Sequence, residues 1–148
     1  MSRIIKYASF KDSTANDSDK SFTSLSIGAG NFDIQLLYLF VELTSTATAG
    51  NRLMTLEVQD ADSSVIYEDH AGSYQAASNV YHYSFAPGIY RETVSTVAEA
   101  GVDGTIEVPF PAGLIIPKGY TLRVSDIEAV DAAADDMIVS GMVAVLSK

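Results

Sequence analysis

Apolar and polar residues alternate along most of the chain with a period of two, the signature of strands buried on one face. The stretch TIEVPFPAGLIIPKGYTLRVSD, residues 105–126, shows this most clearly. Ile106 and Val108 alternate with Glu107, and Leu122 and Val124 with Arg123 and Ser125. Pro109, Pro111 and Pro117 each remove a backbone donor and fix φ, so no helix runs through the segment. Gly113 and Gly119 supply the permissive positions at which the chain turns. The stretch therefore predicts strand, stiff corner, short apolar strand, turn and strand.

The rest of the chain reads in the same way. Residues 3–10 fit a first strand or an extended arm, with Ile5, Tyr7 and Ser9 on one side and Ile4, Lys6, Ala8 and Phe10 on the other. KDSTANDSDK, residues 11–20, has almost nothing to bury and reads as a loop or mobile tether. Alternation resumes over residues 21–27. Residues 33–47 are apolar at both parities, with Ile34, Leu36, Tyr38 and Phe40 against Leu37, Leu39, Val41 and Leu43. Their aromatic and β-branched content favours a strand buried on both faces, covered on one side by a sheet and on the other by a loop, an arm or a neighbouring subunit. Residues 52–59 alternate cleanly, and Asp60-Ala61-Asp62-Ser63 turns them into residues 64–69 as a hairpin. Further strands are expected at 79–86, 89–97 and 137–146, with a turn at 99–104. The Ala-rich, acidic residues 127–136 have room for one short helical turn.

This pattern predicts an all-β fold, a jelly-roll-like β-sandwich of about eight to ten antiparallel strands with an extended N-terminal arm. The arm is residues 1–20 and the single sandwich domain residues 21–148. No internal repeat of solenoid or propeller length is apparent.

Composition adds a second constraint. A chain of 148 residues is long enough to bury one real core, and a domain that small with a hydrophobic fraction of 47% often hides part of its apolar surface between subunits. No apolar run has the length of a membrane-spanning helix. MSRIIKYASFKDS carries basic residues without an apolar core and a small-residue cleavage site, so no signal peptide is expected. With no cysteine there is neither a disulfide framework nor thiolate chemistry. The net charge of −10 is unevenly spread: residues 1–20 hold four basic and three acidic residues, and the remainder five and sixteen. An acidic body disfavours nucleic acid and reads as a solvated acidic surface, with the alternative that the near-neutral N-terminal arm contacts a different surface from the one the body shows to solvent.

Candidate chemistry is sparse. Asp60-x-Asp62-x-Ser64 resembles the start of a calcium loop, but Val65 and Ala71 stand where an EF-hand needs Gly and Glu, and a hairpin turn is the reading. Asp126, Glu128, Asp131, Asp135 and Asp136 read as solvated charge, with convergence on a cation as the alternative. His70 and His82 have no metal-ligand spacing to a partner. There is no nucleophile elbow, no P-loop and no G-x-G-x-x-G. Tyr74, Tyr81, Tyr83 and Tyr90 fall close enough together to suggest stacking on sugars, against the plainer reading of core or interface tyrosines. The chain is expected not to be an enzyme and to need no cofactor.

The segments TATAGNRLMTLEVQDADSSVIYE and TIEVPFPAGLIIPKGYTLRVSD, followed by DAAADDMIVSGMVAVL, resemble small jelly-roll structural proteins of tailed bacteriophages, and among them capsid decoration or cement proteins. What carries the resemblance is a Gly-Asn-Arg turn, a hairpin, a Pro-x-Gly corner and a closing apolar strand. It implies a virion protein of the phage head surface, made in the host cytoplasm. It implies a homotrimer that binds between major capsid protein subunits and resists internal pressure, with no nucleic-acid or membrane partner. A carbohydrate-binding or structural module of a tail or fibre is the alternative. On this view Arg3, Ile4, Ile5, Lys6, Tyr7, Phe10 and Lys11 contact the capsid or a neighbouring subunit, and deleting residues 1–20 weakens attachment while leaving the fold intact.

Overall fold

A computed structural model describes residues 2–88 and 104–147. It contains ten strands: β1 (Arg3–Asp12), β2 (Asp19–Thr23), β3 (Asp33–Thr44), β4 (Met54–Gln59), β5 (Val65–His70), β6 (Val80–Pro87), β7 (Gly104–Phe110), β8 (Ile115–Ile116), β9 (Thr121–Asp126) and β10 (Asp136–Ser147). The larger sheet runs β1-β10-β3-β6-β7, with β8 on β3, and the smaller runs β2-β9-β4-β5. The antiparallel partners β1–β10, β2–β9, β3–β6 and β4–β5 fall alternately in the two sheets. Four strand pairs wound alternately around one core make a jelly roll. The strands β7 and β8 are additions to the larger sheet.

Period-two burial drives the assembly. Leu39, Val41 and Leu43 of β3, Met54, Leu56 and Val58 of β4, Ile106 and Val108 of β7, and Leu122 and Val124 of β9 all join one core between the sheets. On the β1 side that core closes with the Phe10 ring 4.7 Å from Phe22 of β2. A Cβ on Gly141, opposite Phe10, would come within 2.7 Å of both the Phe10 ring and the Tyr38 carbonyl, so only glycine fits there.

Residues 105–126 form the predicted strand, corner, short strand, turn and strand. The turns close through Leu114 N–H to the Pro111 carbonyl and Tyr120 N–H to the Pro117 carbonyl. Gly113 and Gly119 take φ of 79° and 83°.

Four details depart from the sequence reading or narrow it. β7 lies parallel to β6, not antiparallel; a parallel neighbour needs a long connection. The residues between them, with the strand expected at 89–97, most of the 99–104 turn and Tyr90, lie outside the described residues. Second, β2 stops at Thr23 although the alternation runs to Ile27. Ser26 Oγ accepts from Thr23 N–H and Thr23 Oγ1 from Ser26 N–H, and these local bonds turn the chain out of the ladder. Third, the room for a helical turn over residues 127–136 is used only once, at 131–135, where Ala134 and Asp135 N–H both donate to the Asp131 carbonyl, and no longer helix follows.

The fourth concerns the N-terminal arm. Of the two readings of residues 3–10, strand or arm, the structure takes the strand: β1 pairs with β10 from Arg3 to Asp12. The tether reading of residues 11–20 fails with it. Lys20, only 1% exposed, is held by Thr14 O at 2.7 Å, Asp17 at 3.2 Å and Asp12 at 3.4 Å. Burial of that ammonium requires its partners in place, so this polar decapeptide folds around it.

Candidate interaction surface

The two sheet exteriors differ in kind. On the smaller sheet, Arg123 donates from Nε and Nη2 to the two Asp19 oxygens, both at 2.8 Å, and from Nη1 to Glu57 Oε2 at 3.0 Å. These hydrogen bonds, those to Asp19 first, raise the Arg123 pKa further. Gln59 also donates to Glu57, Thr55 Oγ1 lies 2.9 Å from His70 Nδ1, and His70 Nε2 lies 2.7 Å from Glu68. Most polar side chains there are satisfied by one another, the buried Ser125 Oγ being an exception.

The larger sheet presents apolar groups outward. Its register sets Phe40 of β3 beside Ser140 of β10 and Ser84 of β6, and Tyr38 beside Met142. The Tyr38 and Phe40 rings lie 5.2 Å apart, and Phe40 is 50% exposed. The expectation that β3 is covered on both faces therefore holds for its core face alone among the described residues. Beside Phe40 is a groove of about 510 Å³ lined in part by Glu42, His82, Ser84, Thr105 and Glu107. Among its lining residues His82 Nε2 approaches Glu42 Oε2 to 3.0 Å.

β1 carries the residues expected to meet a partner. Arg3, Ile4, Ile5, Lys6, Tyr7 and Lys11 are exposed, Tyr7 at 62%. Phe10 is a correction: it faces the core beside Phe22 and is unavailable to a partner. β1 is an outer strand of its sheet and has ten residues against the five of β2. A bulge between Ile4 and Lys6 leaves Ile5 out of register. Lys6 donates to the Gly28 carbonyl at 3.2 Å, and among the described residues Arg3, Lys6 and Lys11 meet no carboxylate.

The acidic clusters are used internally. Asp60 Oδ1 accepts from Asp62 and Ser64 N–H and shapes the hairpin. Asp135 receives the fully buried Arg52 through Nε at 2.8 Å and Nη2 at 3.1 Å, while Arg52 Nη1 donates to the Thr48 and Gly50 carbonyls. The Asp135 contact foremost raises the Arg52 pKa. Asp131 accepts from the hydroxyls of Thr46 and Thr48, which hold its carboxyl below the usual range. Asp126 takes Leu53, Glu128 and Val130 N–H, and Asp136 takes Asn16 N–H. Asp126, Asp131, Asp135 and Asp136 pin the loops at one end of the sandwich, and the Asp60 turn lies at the other. Among the described residues no group of three or more His, Asp or Glu side chains is placed to hold a metal ion.

The tyrosines do not form one platform. Tyr83 is buried and donates to Gln75 Oε1 at 3.0 Å, with burial pushing its pKa up. Tyr81 packs on the core, and Tyr74 is exposed.

Sequence reading missed Phe40 and Ile138 as outward groups, although apolar residues at both parities of β3 and β10 were the available signal. It placed β5 as the second strand of the hairpin but did not single out its exposed Val65 and Ile66. Two adjacent apolar residues at the head of a short strand were the signal there.

No protein-family model matches this chain, and no curated protein matches it. Among solved structures it is similar to turnip yellow mosaic virus, at 13% identity and a TM-score of 0.40, covering 99% of this chain and 81% of that one. It is also similar to the infectious bursal disease virus VP2 subviral particle, at 14% identity and a TM-score of 0.30, covering 97% of this chain and 33% of that one. At such values the function has to be argued from this chain's own surfaces.

Proposed function

We propose that this chain is a non-enzymatic virion structural protein: a capsid decoration or cement protein that binds between major capsid protein subunits, as a homotrimer, and stabilises a tailed-phage head. The observation that carries this reading is the contrast between exteriors. A sheet face bearing Phe40, Tyr38, Ile138 and Tyr7 beside an edge of unpaired cations has the apolar centre and polar rim of a protein-binding surface. The internally paired exterior of the smaller sheet suits solvent.

The test is to add purified protein to heads that lack it. Saturable binding, with heads that then resist heat or chaotrope better, is the expected result; no binding, or binding without added resistance, overturns the proposal.

A second reading, a carbohydrate-binding module of a tail or fibre, is favoured by the groove. An aromatic wall at Phe40 beside the Glu42 and Glu107 carboxylates is a chemistry that suits a sugar ring and its hydroxyls. Glycan-array binding that Phe40→Ala removes, with no affinity for heads, would favour this reading over the first.

A further inference from the structure

β1 and β5 are outer strands of different sheets. They lie on opposite sides of the sandwich, because β1 stacks on β2 through Phe10 and Phe22 whereas β5 touches β7. Among the described residues no other strand pairs with the outer edge of either, although on β5 the His70 N–H donates to Asp69 Oδ1. Each keeps large apolar side chains in water, Ile4, Ile5 and Tyr7 on β1 and Val65 and Ile66 on β5. Each is also bulged at an exposed isoleucine, the register skipping Ile5 in one and Ile66 in the other.

Their charges are opposite. β1 carries Arg3, Lys6 and Lys11, none matched by a carboxylate among the described residues, and its own Asp12 is held by Lys20. β5 carries Glu68 and Asp69, and the turn before it Asp60 and Asp62. A net charge of −10 makes most of this molecule's surface repel a second copy, and β1 is where the unmatched cations gather.

We propose that the β1 edge of one copy docks against the β5 edge of the next, so that the chain associates with itself head to tail. Apolar side chains then meet at the centre of the contact, Lys6 and Lys11 face acidic groups, and unpaired backbone groups find partners. Two different patches on opposite sides of one molecule make a heterologous contact, which closes into a ring when the rotation between copies allows. This goes beyond the capsid reading, because the association needs no capsid.

The experiment is light scattering on the full chain, with charge reversals on each edge. The wild-type chain is expected to be oligomeric at low salt and to weaken as salt rises. Lys6→Glu with Lys11→Glu, or Asp62→Lys with Glu68→Lys, weakens association about tenfold or more. All four substitutions in one chain restore it, and an equimolar mixture of the two single-edge variants also associates.

A wild-type chain that stays monomeric at about 0.1 mM, where an affinity of ~10 µM would fill most sites, overturns the proposal. So does association that survives both reversals, or a four-fold variant that folds and stays monomeric. Should any variant fail to fold, amide exchange on the wild-type chain decides. Outer-edge amides of β1 and β5 that become protected as concentration rises support the interface, and exchange unchanged by concentration refutes it.

Discussion

At the scale of single residues, stability at one end of the sandwich rests on Arg52. Its guanidinium is fully buried and depends on Asp135 and on two loop carbonyls for its partners. Removing one member of a buried pair strands the other charge, so Asp135→Ala should cost about 3–5 kcal/mol in urea-induced unfolding. A loss under ~1 kcal/mol would mean that water or another group replaces the carboxylate. Acid should act through carboxylates whose pKa values lie below the ordinary 3.8, Asp131 held down by Thr46 and Thr48, and Asp12 by the Thr14 N–H first and by Lys20. Their folded-state pKa values are depressed, so their contribution is complete above the ordinary value and is lost as pH falls through the lower folded one. Thermal midpoints should therefore drop with acidification below about pH 4, and Asp131→Asn should flatten that drop. An equally steep drop in the variant would assign the acid sensitivity elsewhere. Local pattern does not reveal this network. Arg52 reads as one more residue in a turn, because its partner stands 83 positions along the chain and only the closed sandwich brings the two together.

At the scale of elements, β1 shows what alternation can and cannot decide. Its period marks a strand, but whether a terminal strand pairs or hangs free depends on a partner at the other end of the sequence, and β10 is that partner. Neither could the polar run after it show that Lys20 would turn inward and collect Asp12, Asp17 and the Thr14 carbonyl. The β-hairpin β4–β5 and the corner after β7 were legible because Gly, Pro and Asp fix their turns locally. Deleting residues 2–18 should therefore unfold the protein, since it uncovers β10 and the Phe22 ring and leaves the Lys20 ammonium without its carboxylates. Circular dichroism and cooperative melting check this; a truncated chain that melts like the full one would show β1 to be dispensable. Attachment lost on such a deletion would report unfolding, so the contact is better probed by point substitutions at exposed positions.

At the scale of the whole molecule, the two exteriors make the proposed attachment directional. Charge added to the larger sheet's outer face meets apolar neighbours there but does not touch the core, whereas on the smaller sheet it joins an existing ionic surface. Phe40→Lys with Ile138→Lys should abolish binding to undecorated heads and leave the melting midpoint nearly unchanged. Phe40 is half exposed and Ile138 only partly buried, so little core packing is lost. Ser21→Lys, on the other exterior beside Arg123, should leave binding as it is. The comparison separates this face from a general electrostatic attraction, because both variants shift the net charge in the same direction and only one places the charge inside the contact. Equal losses from the two would mean that charge alone drives attachment, and a loss only from Ser21→Lys would turn the molecule over and put the smaller sheet against the capsid.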